Sequence, residues 1–301
     1  MTHYDLVNSN RIRSWAIMAG FMLFVTAAGY IMARGFDLGP GMVGWAFLFG
    51  GVSSFVSYYF SDQIILSISG AREATRAEFF DFYTVTENLC VGARLPKPKL
   101  YVIDDTAMNA FATGRDPQHA VVCATTGLLS RLNRAEIEAV VGHELSHIRN
   151  YDILLMSVVS ILVGMLALLS DMLLRWTALG GGRKRDRDSD QLQLVFFVGG
   201  LVLALLSPLI AQLIQLAISR NREFLADASS AALTKNPAAM IRALEKISQD
   251  QEPLEAANKA TAHLYIANPL KNHNDAIGWF AGLFATHPPV GERIKALKAL
   301  V

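Results

Sequence analysis

His143, Glu144 and His147 are the residues whose types and spacing point to chemistry. They stand in His143-Glu144-Leu145-Ser146-His147, an H-E-x-x-H pattern inside an apolar stretch of helical periodicity. Residues four apart share a helix face, so both imidazoles can bind one metal ion, and zinc is the ion this pattern predicts. Glu144 flanks that face, where its carboxylate serves as general base toward water activated by the metal. Asn133 and Glu136 read as the two halves of a capping box at the helix start. Ile137, Val140, Val141 and Leu145 then recur at helical spacing, and Gly142 leaves room for another element to come close.

A catalytic zinc takes three protein ligands and keeps one position open. A third histidine six residues after His147 is excluded, because that position is Ile153. The other common arrangement takes a glutamate from a second helix, and Glu223 in Arg222-Glu223-Phe224-Leu225-Ala226-Asp227 is the best candidate. Asp227 follows by four residues on the same face, suited to accept a hydrogen bond from the second nitrogen of a ligating imidazole. The two cysteines, Cys90 and Cys123, form no C-x-x-C pattern and do not compete for the metal. Cys123 ends the apolar run Ala120-Val121-Val122-Cys123 and reads as a buried strand residue. His3, His119, His263 and His273 read as surface or structural.

The elements that must position these residues belong to a membrane protein. Hydrophobic residues make up 52% of the 301 and charged residues only 18%, with a mean hydropathy of +0.31. A net charge of +1 points to no nucleic-acid partner. Four apolar runs, at about 15–32, 42–60, 153–174 and 192–218, have the roughly 20-residue length that spans a bilayer. The sequence thus divides into a two-helix anchor (1–60), a polar segment carrying the H-E-x-x-H helix (61–152), two further membrane helices with a basic loop (153–218), and a helical segment carrying Glu223 (219–301). Within 61–152, a helix over about 77–89 precedes three short β-like runs at 99–103, 109–113 and 120–124, with a turn at 114–117. The predicted fold is therefore mainly α: four transmembrane helices with a cytosolic, zincin-type α+β protease domain that carries a small β-sheet.

Arg11 and Arg13 precede the first run and Arg72 and Arg76 follow the second, which places both flanks in the cytosol. The loop between runs three and four holds Arg183, Lys184, Arg185 and Arg187; four crossings would put this basic loop outside, so the alternative that neither of these two helices fully crosses stays open. A shared metal requires His143, His147 and Glu223 on one side in both cases. At about 1.5 Å rise per residue the metal lies roughly 10–20 Å from the bilayer edge, so the expected partners are the lipid bilayer and membrane-protein substrates.

Four landmarks in order resemble the HtpX family of membrane metalloproteases, relatives of the CAAX prenyl proteases. They are 109–114 (Asn109-Ala110-Phe111-Ala112-Thr113-Gly114), 143–147, Ser219-Arg220 with Glu223-Phe224 and Ala226-Asp227, and Thr286-His287-Pro288-Pro289 with Arg293-Ile294. The resemblance implies one zinc per chain, with His143, His147 and Glu223 as ligands, Glu144 as base and Asp227 behind a ligand. It implies that His287 donates to the developing oxyanion and that Arg293 acts beside it. It also implies that Asn109, Ala110, Phe111, Ala112 and Thr113 form an edge strand to which an extended substrate adds. Quality control of damaged or misassembled proteins at a bacterial inner membrane, alongside other membrane proteases, is the role it suggests. A narrow processing protease of the CAAX type, or a zinc-binding scaffold without hydrolysis, are the competing readings. Four helices suggest no large enclosed chamber, and the spans are nearly bare of the mid-membrane charges a transporter would use.

Overall fold

The computed structural model describes residues 3–35, 39–179, 220–250 and 288–300, with 194, 197–199, 201, 202, 252, 254 and 264–266. Helices α1 (His3–Gly35) and α2 (Gly41–Tyr59) cover the first two apolar runs. They cross at close range: a Cβ at Gly29 would collide with Ala46 Cβ, and one at Gly50 would fall 3.0 Å from Met22 Cα. Small residues at such a crossing are what helix pairing in lipid favours. Their outer faces expose Leu23, Ile31, Trp45, Val52 and Phe55, and two stretches, Asp5–Ile31 and Gly41–Tyr59, are long and apolar enough to cross a membrane. The fourth apolar run falls mostly outside the described residues.

A short helix α3 (Ser61–Ile68) leads to a four-stranded sheet of β1 (Arg72–Glu73), β2 (Lys99–Ile103), β3 (Ala110–Gly114) and β4 (Ala120–Thr125), in the order β1-β2-β4-β3. β2 and β4 are parallel, pairing Leu100 with Val122; the other two pairings are antiparallel, with Phe111 opposite Cys123. Helix α4 (Phe80–Ala93) starts three residues later than its sequence pattern predicts, with residues 76–78 forming a turn before it.

Both faces of this sheet are covered. Val122 and Ala124 point into one core with Phe82, Val85, Val140 and Val141. Val121 and Cys123 point into a second, with Ile65, Leu155 and Val159. Side chains alternate across a strand with period two, and with apolar layers on both sides β4 becomes a continuous apolar run. A short helix, α5 (Thr126–Arg131), follows β4 directly.

The first of these layers contains α6 (Arg134–Arg149), and its start is a capping box as the sequence predicts. The Glu136 N–H donates to Asn133 Oδ1 at 3.0 Å, and the Asn133 N–H donates to Glu136 Oε2 at 2.9 Å. Lys246 adds a 2.7 Å ion pair to the same carboxylate. After α6 the chain turns at Tyr151, whose φ of 58° lies in the left-handed region, and enters α7 (Asp152–Leu179). The pair bends by 82°. Leu154, Val158 and Leu162 of α7 join Met18, Phe21 and Val25 of α1 in a third core, which docks α7 onto the anchor helices. Helices α8 (Arg220–Thr234), α9 (Pro237–Gln249) and α10 (Val290–Lys298) complete the layer around α6.

Candidate metal centre

The site is assembled by α6 and α8. A Cβ at Gly142 would fall 2.9 Å from Ser230 Oγ, so the absent side chain is what admits α8 at this distance. The Ser230 hydroxyl then donates to the Ala139 carbonyl at 2.6 Å. Glu223 lies seven residues, about two turns, before Ser230 and so on the same face of α8. It reaches the histidines with Oε1 3.5 Å from His147 Nε2 and Oε2 3.6 Å from His143 Nε2. The two Nε2 atoms are 3.2 Å apart, and one donor atom from each of the three residues falls within 4.8 Å of the others. Two nitrogens held tetrahedrally at about 2.0–2.1 Å from one ion lie about 3.3 Å apart, so this spacing fits a single metal.

The tautomers fit as well. His143 Nδ1 is 2.9 Å from Asp227 Oδ1, and His147 Nδ1 is 3.0 Å from Asp152 Oδ2. A carboxylate only accepts, so each ring places its Nδ1 proton there and turns an Nε2 lone pair to the shared point. Around this point four buried carboxylates (Glu144, Asp152, Glu223 and Asp227) face two buried arginines (Arg222 and Arg293). That leaves two formal negative charges, which one divalent cation would cancel. Burial opposes a charged His143, but its bonds to Asp227 and Glu223 outweigh burial and lift its pKa to about 9. His147 moves the same way, burial again being overcome by Asp152 and Glu223. The pocket therefore favours a cation, whether as protons on the rings or as a metal between them.

Arg293 lies deeper than the sequence suggests. It is fully buried, with Nε 2.8 Å from Asp227 Oδ2 and Nη2 2.7 Å from Asp227 Oδ1. Nη1 donates to the Ile266 carbonyl at 3.2 Å. Burial alone would raise the Asp227 pKa, but Arg293 and His143 more than compensate and hold it below its ordinary range. Arg293 thus stands behind Asp227 as a bidentate partner, with Nη1 also 3.7 Å from Glu223 Oε2. His287, the expected oxyanion donor, lies outside the described residues.

Glu144 is buried on α6 and lines a small internal space with Ala110, Val122 and Val141. That sets it against β3, whose bounds begin one residue after the expected 109–113. β3 is the last strand in the sheet order, as an edge must be. Its outward carbonyl at Ala110 accepts from the Ile266 N–H at 2.9 Å, and at its far end the Gly114 N–H lies 3.4 Å from Ser157 Oγ. The Asn109 carbonyl is turned inward instead, accepting from the Thr125 N–H at 3.0 Å. Cys123 is no rival ligand, since burial and the charge on Glu144 both push its thiol pKa upward.

Three further residues escape the sequence reading. Asp152 anchors His147, and its other oxygen, Oδ1, lies 2.7 Å from Asn10 Nδ2 and 3.2 Å from Arg222 Nη1. The Arg222 approach is an ion pair without hydrogen-bond alignment. Asp152 is the one whose signal was present: an acid opening an apolar helix, where the helix dipole favours a negative charge.

Paired imidazoles, a glutamate from a facing helix and a carboxylate beside a strand edge define a metal-dependent peptidase, here attached to membrane helices. The sequence pattern of peptidase family M48 matches residues 77–301. The chain is 41% identical to the protease HtpX homolog of Caldanaerobacter subterraneus subsp. tengcongensis, over 99% of this chain and 98% of that one. It is also 41% identical to the homolog from Streptococcus uberis, over 99% of each. The crystal structure of S. mikatae Ste24p shares the fold, with a TM-score of 0.52 and 19% identity over 98% of this chain and 67% of that one. The chain belongs to peptidase family M48, among its HtpX proteases.

Proposed function

We propose that this protein is a zinc endopeptidase that cuts damaged or misassembled membrane proteins at the cytosolic face of a bacterial inner membrane. The convergence of His143, His147 and Glu223 on one point, with Glu144 beside it, carries the reading. Zinc held there supplies the Lewis acidity that makes water a nucleophile near neutral pH. Glu144 takes the proton of the attacking water and returns it to the leaving amine. Asp227 and Asp152 keep both rings in the ligating tautomer while the charge on the ligands changes.

Substrate adds as an extended strand along the part of β3 beyond Ala110, whose outward carbonyl Ile266 already holds. Recognition through main-chain groups tolerates many sequences, as a quality-control protease requires. The cytosolic orientation is supported by Asn10, which lies beside Asp152. The metal site therefore sits at the end of α1 marked by Arg11 and Arg13, the side that positive residues select.

Glu144→Gln should retain about one zinc per chain and lose cleavage of an unfolded test protein, a loss on the order of 100- to 10,000-fold. Full zinc with unchanged turnover would refute the role of Glu144. Cleavage of prenylated tail peptides alone, with unfolded protein untouched, would favour the narrow processing reading instead.

A further inference from the structure

Asn10 is fully buried although it lies near the start of an apolar helix. Its amide nitrogen donates to Asp152 Oδ1 at 2.7 Å and to the Asn150 carbonyl at 2.8 Å. Both partners only accept, so the NH2 group must be the end that faces them. One side chain of the anchor therefore grips two points of the α6–α7 elbow, 140 and 142 residues away in sequence. The opposite oxygen of the gripped carboxylate holds His147 Nδ1. Arg222, the residue before Glu223, approaches the same Asp152 oxygen as Asn10.

We infer that Asn10 is a positioning residue of the metal centre: it orients Asp152, Asp152 orients His147, and the N-terminal helix is thereby a working part of the site as well as an anchor. This rests on the reading of His143, His147 and Glu223 as metal ligands. A carboxylate carrying one contact fewer can rotate away from the Nδ1 proton, and the ring it steadies then loses the orientation that aims Nε2 at the metal. Groups that stand behind a ligand in this way contribute about 10- to 100-fold to metal affinity. Asn10 acts one step further back, so its removal should weaken zinc binding by about tenfold.

The test uses the full chain purified in detergent, with zinc titrated against a chromophoric chelator. Asn10→Ala and the volume-keeping Asn10→Leu should both lower zinc affinity by about tenfold, while the circular dichroism spectrum stays that of the wild type. In an Asp152→Ala background, Asn10→Ala should add less than about a twofold further loss, because both act on one chain of contacts. Ser14→Ala, one turn along the same buried face of α1, should leave zinc affinity unchanged. Unchanged affinity in both Asn10 variants would overturn the inference. So would a loss of equal size with and without Asp152, since Asn10 would then act through general packing. Failure of the wild type to bind one zinc would instead defeat the ligand assignment on which this rests.

Discussion

Arg293→Met is the substitution whose consequences the structure constrains most. Methionine fills similar space but withdraws both hydrogen bonds to Asp227. Asp227 would remain buried, with His143 as its polar partner on Oδ1. Removing one member of a buried ion pair costs about 3–5 kcal/mol, because the charge left behind has lost its compensation. For a cooperative unit of roughly 150–250 residues, at about 2–4 °C per kcal/mol, this amounts to a drop of about 6–20 °C in Tm. Asp227 would also grip His143 less firmly, so zinc affinity should fall by about 10- to 100-fold. Thermal unfolding and chelator competition on detergent-purified protein measure both, in a Glu144→Gln background that keeps the three ligands. The double variant Arg293→Met with Asp227→Asn should recover part of the lost stability, since it removes the stranded charge as well. An Arg293→Met protein with unchanged Tm and zinc affinity but reduced kcat would refute this account and return Arg293 to the reacting groups.

Two further outcomes follow from the same site. His143 holds its proton up to about pH 9, whereas a metal requires the neutral ring. His147, raised as well, adds a second competing proton, so zinc affinity should fall by at least about tenfold for each unit that pH drops below that value. Chelator competition at pH 6, 7 and 8 with a flat profile would contradict it. The membrane arrangement predicts that an impermeant thiol reagent, applied to intact cells lacking Cys90 and Cys123, fails to reach a cysteine placed beside Arg293. Labelling there from outside would reverse the orientation, and labelling at position 184 alone would establish four crossings.

The sequence reveals the parts of this site that follow local rules. H-E-x-x-H spacing places two rings on one helix face whatever surrounds it, and the Asn133–Glu136 box marks the start of that helix within three residues. The strands are legible because Ala120 to Ala124 and Lys99 to Ile103 are dense in strand-forming residues between turns. Gly142 is legible as a place of close approach, though only the fold shows that Ser230 is what approaches. Asn10 and Arg222 have no such local signal. An asparagine before an apolar run and an arginine before a glutamate read as solvated boundary residues, and only folding brings them to Asp152. The contact of Arg293 with Asp227 is hidden for the same reason, since a lone arginine on a short charged helix gives no hint of the buried carboxylate it meets.

The distance along the chain between His143 and Arg293 has a consequence for biosynthesis. At roughly 5–20 residues per second, the 150 residues separating them take about 8–30 s to translate. Through that interval the two histidines exist while the guanidinium that steadies Asp227 does not. The centre thus comes to completion only after nearly all of the chain has been made. A chain interrupted before α10 would carry both ligand helices yet hold its metal poorly. Late arrival of one arginine thereby orders assembly: both ligand helices are made before the residue that steadies Asp227.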